Sequence, residues 1–429
     1  MAKHRRAESL VADIMNRTIV ALALSAAAFV VAGCVTQETR PQPRVKAIQA
    51  STEIPAAQLL DVGVRLFDEN VPTEEKRLER EHIFPEVRKA EARYFPMQIR
   101  NTLEGTGHWG QVRVIPKDAD SLDVHVSGRI LESTGQLLRV EIVVSDATGH
   151  QWFKREYEQP ADTRSYKDQN VRPRDPFQNL YSTLANDMLM YRRQLAPTDL
   201  ENVRRVSELR FASDLAPYAF QSYLHEDKKT GRYEVLRLPA DNDPLFVRMD
   251  RLRERDYSLL DTINEHYALF ADNMAEPYNS WRRYSYSELE AESAAKRSAL
   301  SRKLLGAAAV VGGLVAGSES NSYVGQAAAT GAIFGGAYAI KSGFDKGAEV
   351  KMHSESIKQL GDSFQAEVQP MVIEVEGRTL QLRGTAEEQY HEWRRLLREL
   401  YENETGLSAP RPAAANEAVP AADTGDQSG

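Results

Sequence analysis

The chain has 429 residues, a net charge of −8 with 27% charged residues, and a single cysteine. An acidic balance argues against nucleic acid as a partner, since phosphate recognition needs a basic face. One cysteine excludes an internal disulfide framework. A mean hydropathy of −0.49 excludes a protein built mostly of membrane spans, and the length is too great for one core, so two or three domains are expected.

The first residues read as a targeting segment rather than as fold. Arg17 supplies positive charge, Ile19 to Val31 is an uncharged apolar run, and Val31-Ala32-Gly33-Cys34 follows. The run is too short for a comfortable span, which needs roughly 20 apolar residues. It suits a signal-peptide core, and the ending resembles the lipobox of bacterial lipoproteins. That resemblance implies that residues 1–33 are a cleaved signal peptide and that Cys34 becomes the acylated N-terminus, a palmitate-bearing anchor. Val31 replaces the commoner Leu of the motif. The other reading is an ordinary secretory signal with an incidental cysteine. Met15 offers an alternative start with a signal of ordinary length. Cleavage removes four basic side chains (Lys3, Arg5, Arg6, Arg17) and two acidic ones (Glu8, Asp13), which leaves the mature chain at −10. Several acyl chains give stable anchoring where one gives marginal binding. In lipoproteins an Asp after the cysteine commonly retains the protein at the inner membrane; here Val35 stands there, which implies the outer membrane.

Residues 34–56 are polar, with Pro41, Pro43 and Pro55, and read as a lipidated tether. Residues 57–160 read as a small α/β domain. Leu60 to Phe67 alternates like a strand, and Glu86 to Leu103 has helical spacing with a distortion expected at Pro96. Val112 to Ile115, Leu122 to Ile130, Leu137 to Ser145 and Trp152 to Tyr157 are strand-like, with turns at Gly135 and at Asp146-Ala147-Thr148-Gly149. The stretches Gly107 to Val114, Asp123 to Leu131 and Val140 to Trp152 resemble the periplasmic domains of curli-export, penicillin-binding-protein-activator and lipid-transport auxiliary lipoproteins. The resemblance covers about a quarter of the chain and implies a helix packed on a sheet. Those families share no single activity, so no function follows from it.

Residues 161–300 read as a helical region. Asp175-Pro176-Phe177 opens a helix to about Gln194; Asp199 to Leu209 and Leu215 to Leu224 follow; Asp243-Pro244 opens a long amphipathic helix to Phe270, and Leu289 to Leu300 is another. Residues 301–347 change character. Leu304 to Gly317 and Val324 to Ile340 are apolar arms around a polar turn, with small residues at four-residue steps that include Gly313, Gly317, Gly331, Gly335, Gly343 and Gly347. Glycine costs about 1 kcal/mol against alanine in a helix, so close helix packing is the expected reason for it. The segment resembles the glycine-zipper stretches of outer-membrane lipoproteins. A hairpin in contact with membrane and a soluble or homo-oligomeric hairpin both remain open. Residues 348–405 read as an αβ unit: a hairpin around Glu376-Gly377-Arg378, then a capping box at Thr385 to Glu388 opening a helix to about Glu402. Residues 406–429 have a disordered-tail composition.

The fold class expected is therefore α+β, with an N-terminal α/β domain, a central helical region carrying a glycine-rich hairpin, and a small C-terminal αβ unit. No catalytic constellation emerges. The nine histidines do not cluster, and there is no HExxH, GxSxG or Walker pattern, so no metal and no cofactor is expected. The charged run Glu74 to Glu81 reads as a solvated face. Trp281-Arg282-Arg283-Tyr284 is either a packing corner or a glycan or headgroup contact, and His108-Trp109 is a turn with a core anchor or a ligand platform. The expected function is a non-enzymatic outer-membrane lipoprotein, largely facing the periplasm, that supports envelope assembly, export or transport. Its partners would be the membrane, through the acyl chains, an envelope protein, and other copies of itself. A pore-forming exporter component of curli type is the alternative, and a cell-wall-acting enzyme a further one.

Overall fold

The computed structural model describes residues 43–167, 174–240, 242–315, 355, 358–359, 371–375, 378–382 and 384–406. The signal peptide, Val31 to Cys34 and all the hairpin glycines except Gly313 lie outside the described residues. Helices and a mixed five-stranded sheet make the fold α+β.

The sheet has the order β2-β1-β3-β4-β5, with β1 Val62–Arg65, β2 Val112–Ile115, β3 Val124–Ser133, β4 Leu137–Asp146 and β5 Gln151–Pro160. The first three strands are parallel, with Val62 level with both Val112 and Val124. The last three form an antiparallel meander. Alternation decides the faces: β4 buries every second residue, Leu138, Val140, Ile142 and Val144.

Between β1 and β2 lie α1 (Glu75–Arg80) and α2 (Pro85–Glu104). The solvated run predicted at Glu74 to Glu81 is α1, which buries nothing and carries an Arg77–Glu81 pair four residues apart. Helix α2 continues through Pro96 and buries Val87, Phe95, Ile99 and Leu103. After the sheet come a short turn of helix α3 (Arg164–Lys167), α4 (Gln178–Arg192), α5 (Pro197–Leu215), one turn α6 (Pro217–Phe220), a hairpin β6 (Leu224–Asp227) and β7 (Arg232–Val235), the long helix α7 (Pro244–Val315), a second hairpin β8 (Met371–Val375) and β9 (Arg378–Leu382), and α8 (Ala386–Thr405). The helix expected over 215–224 is replaced by α6 and the start of β6. The two helices expected within 243–300 are one. Met274, Tyr278 and Trp281 extend the buried stripe of α7 across the gap between them, and Pro277 sits inside the helix.

One apolar core runs from Leu60 to Tyr401, and Arg44–Gly429 is a single compact unit. Helix α7 seals the open edge of β2. The Val114 amide donates to Asn264 Oδ1 (2.9 Å), and Arg113 Nε pairs with Asp261 at 2.6 Å. Two buried charge clusters tie α7 to α2 and to the start of α4. Glu91 accepts from Ser133 and Tyr278, each at 2.6 Å, and Arg282 pairs with Asp175 at 2.9 Å. Trp281 and Arg282 are both buried and stack with Tyr278, so this aromatic–cation run is a packing corner. Trp109 is likewise a core anchor, packed near Trp152, which stacks on Tyr191. The capping box is present: Thr385 and Glu388 exchange hydrogen bonds at 3.2 and 2.8 Å.

Gly135, predicted as a turn glycine, lies directly against α7. A Cβ there would fall on the Arg282 carbonyl and the Tyr286 amide, both backbone atoms. Gly135→Ala is expected to cost about 1–3 kcal/mol, as overpacking does, read as a lower urea midpoint with an unchanged slope.

Candidate functional site: a charged cavity under the crossover loop

Proline at 116 ends β2, and residues 116–123 then cross the sheet to reach β3. The loop passes over Gly63, where any Cβ would collide with Ile115 and approach Leu122 at 2.8 Å. Ala119 and Leu122 point inward and are buried, while Asp118 and Asp120 are exposed to different degrees (69% and 43%). Around the outer side of the loop gather the C-terminal half of α5, the β6–β7 hairpin and α8. Together they enclose a cavity of about 520 Å³, within the range of small-molecule sites.

The cavity wall is built from paired charges over aromatic rings. Asp120 is shared by Arg210, by Arg65 at 2.8 Å and by His125 at 3.4 Å. The Arg210 guanidinium lies 4.4 Å over the Tyr233 ring. On the opposite side, Arg394 and Arg398 share one face of α8 by their four-residue spacing, and both reach Asp214 near the end of α5. Arg394 also sits 4.5 Å over Phe211. Behind them Asp256 is completely buried and accepts from Ser121 Oγ at 3.0 Å. Its other oxygen has no hydrogen-bond partner and faces Arg394 Nη1 at 3.7 Å.

These environments set the charge states. Burial pushes the Asp256 carboxyl up, with Arg394 opposing it. Burial, reinforced by Arg65, holds His125 well below the usual imidazole value, so it is neutral at pH 7. Burial alone would raise Asp214, but Arg394 and Arg398 outweigh it and the carboxyl titrates below the usual range. Asp123, at the loop's far end, is pushed up to about 6 by burial, against the pull of Arg253. The site therefore offers ions held mostly in pairs around an accessible space, an arrangement suited to recognising a polar ligand.

The residues singled out in the sequence are not brought to this cavity. Cys34 and the lipobox lie outside the described residues, and of the glycine series only Gly313 is described, as backbone within α7. The cavity residues were passed over because Asp118, Asp214, Glu226 and Arg394 lie on four separate segments. One signal was present: Arg394 follows Trp393 and precedes Leu397 on the α8 stripe, a flank position where the arginine is largely covered. Among the described residues no group of three His, Cys, Asp or Glu is placed to hold a metal ion. No protein-family model matches the chain, and neither a curated protein nor a solved structure is significantly similar to it.

The Asp123 shift has a definite sign. Between the usual carboxylate value of 3.8 and about 6, the unfolded chain ionises while the folded one resists, so stability falls as pH rises through that window. The loss is on the order of 3 kcal/mol at most. Asp123→Asn keeps an acceptor for the Asp61 amide, which donates to Asp123 at 2.9 Å. The variant is expected to lack this fall, so its melting temperature gains on the wild type from pH 4 to pH 6.5 in thermal melts.

Proposed function

We propose that this chain is a lipoprotein of the bacterial outer membrane, anchored through acyl chains on Cys34, whose body is a non-catalytic binding module in envelope assembly, export or transport. The observation that carries the reading is the order of chemistry at the start: a cation at Arg17, the apolar run Ile19 to Val31, then Val31-Ala32-Gly33 before the only cysteine. A lone thiol at that position has one assignable chemistry, as an acyl acceptor. The polar, proline-bearing stretch after it gives the lipid a tether.

The shape of α7 supports a second attachment. Its last buried residue, among those whose burial is described, is Ser285, and the helix continues to Val315. At 1.5 Å per residue the helix runs about 45 Å past Ser285, and its sequence continues into the small-residue series Gly313, Gly317, Gly331, Gly335, Gly343 and Gly347. In this reading the α/β domain at 57–160 and the helical region at 161–300 form the body, the glycine-rich hairpin at 301–347 meets membrane or a second copy of the chain, and the αβ unit at 348–405 closes the body. No helix among the described residues is long and apolar enough to cross a membrane. The partners proposed are thus the membrane, an envelope protein and other copies of the chain, not nucleic acid.

The test is metabolic labelling with palmitate and fractionation of the intact protein, of Cys34→Ser, and of a chain lacking residues 304–340. The wild type is expected to carry label on its N-terminal cysteine and to resist carbonate washing, and Cys34→Ser to carry none. An unlabelled wild type cleaved elsewhere overturns the lipoprotein reading. Complete release of Cys34→Ser by carbonate overturns membrane contact by the hairpin and leaves self-association as its role.

A further inference from the structure

We propose that the cavity under the crossover loop binds a short peptide with free termini, its ammonium group beside Glu226 and its carboxylate on Arg398. The inference stands apart from the anchoring reading and holds wherever the body resides.

The charge pairing leaves two groups under-used. Of the four carboxylates lining the cavity, Asp120 is taken by Arg65 and Arg210, and Asp214 by Arg394 and Arg398, while Asp118 touches His391 at 3.3 Å at the exposed rim. Glu226 makes no ion pair within 4 Å among the described residues, although its charge is felt by Arg210. Of the three arginines, Arg210 and Arg394 are largely covered and closely paired. Arg398 is 47% exposed and holds Asp214 only loosely, at 3.4 and 3.5 Å to its two oxygens, where Arg394 is the closer partner. An unpaired carboxylate on β6 and a loosely held, exposed guanidinium on α8 therefore face the same space from different elements.

That pattern selects against single-sign ligands. A phosphate would gain Arg398 but meet Asp118, Asp120 and Glu226. A polyamine would gain Glu226 but meet three guanidinium groups. A molecule with an ammonium at one end and a carboxylate at the other satisfies both groups through charge-assisted hydrogen bonds. Leu224, Tyr233 and Tyr390 between them supply apolar surface for the side chains of the peptide. A cavity of about 520 Å³ takes a small molecule, not a folded segment.

The test is calorimetric titration of the full, detergent-solubilised chain with a panel of free dipeptides (Gly-Phe, Ala-Leu, Gly-Tyr, Ala-Lys, Ala-Glu). The N-acetylated and C-amidated forms of each, and inorganic phosphate, complete the set. At least one free dipeptide is expected to saturate, with each blocked form about tenfold or more weaker. Arg398→Ala should weaken the free peptide by a similar factor and the amidated one no further. Glu226→Gln should do the same with the acetylated form. Both side chains are partly or fully solvent-exposed, so both variants should melt as the wild type does, and the melt is recorded for each. The proposal is overturned if no free dipeptide saturates by roughly 10 mM, if blocked forms bind as well as free ones, if phosphate binds as tightly, or if both variants bind normally.

Discussion

A parallel crossover made without a helix is the constraint on which much of this fold depends. Strands β2 and β3 both run parallel to β1 on its two sides, so the chain must cross the sheet between them. Residues 116–123 do so as irregular backbone packed beneath helices. Polar groups buried in such a loop need partners that secondary structure would otherwise supply. The surrounding helices and β1 provide them. The Ser121 carbonyl accepts from Tyr257 at 3.1 Å and from Ser207 at 3.2 Å, the Ala119 carbonyl accepts from Arg65 at 3.3 Å, and the Ser121 hydroxyl donates to Asp256. Side chains from α5 and α7 reach the loop directly, and α8 lines the cavity beside it.

The same constraint explains the number of buried ions. A buried charge is costly unless paired, and removing one partner of a buried pair costs about 3–5 kcal/mol. Asp256, Asp123, Arg253 and Arg394 are all nearly or fully enclosed and compensate one another across the loop. A hydrophobic packing of equal volume would hold the helices at less electrostatic cost, but it would leave the loop's own donors and acceptors unmet. The ions are the form that loop satisfaction takes here. The cavity is the space left where their exposed ends point outward.

The strands of the sheet were legible because alternation is a local signal, and Leu138, Val140, Ile142 and Val144 carry it without interruption. The capping box at Thr385 was legible for the same reason. The continuity of α7 was not. Its stripe through Met274, Tyr278 and Trp281 has helical spacing, but Pro277 and the polar residues around it break the apparent pattern, and only packing against Tyr94 and Phe95 of α2 restores its meaning. The β6–β7 hairpin was missed although its turn is written in the sequence: Asp227 accepts from the Lys229 amide, and Gly231 takes a φ of +68°. Apart from Arg394 on the α8 stripe, the cavity had no local signature, because its wall is assembled from distant segments by the crossover.

The last of those segments is decisive for the electrostatics. Helix α8 runs antiparallel to α7, with Glu387 near Tyr267, Arg394 near Asp256 and Glu404 beside Arg248. It brings both the apolar cover, Trp393, Leu397 and Tyr401, and the cation that faces Asp256. Docking of α8 therefore buries the carboxylate and supplies its counter-charge in one step; neither is complete without the other. The helix also supplies Arg398, the outermost cation of the cavity. The recognition surface and the closing of the core are thus a single event in the chain's assembly, and a site built this way cannot form until residues 386–405 have docked on α7 beside the crossover loop.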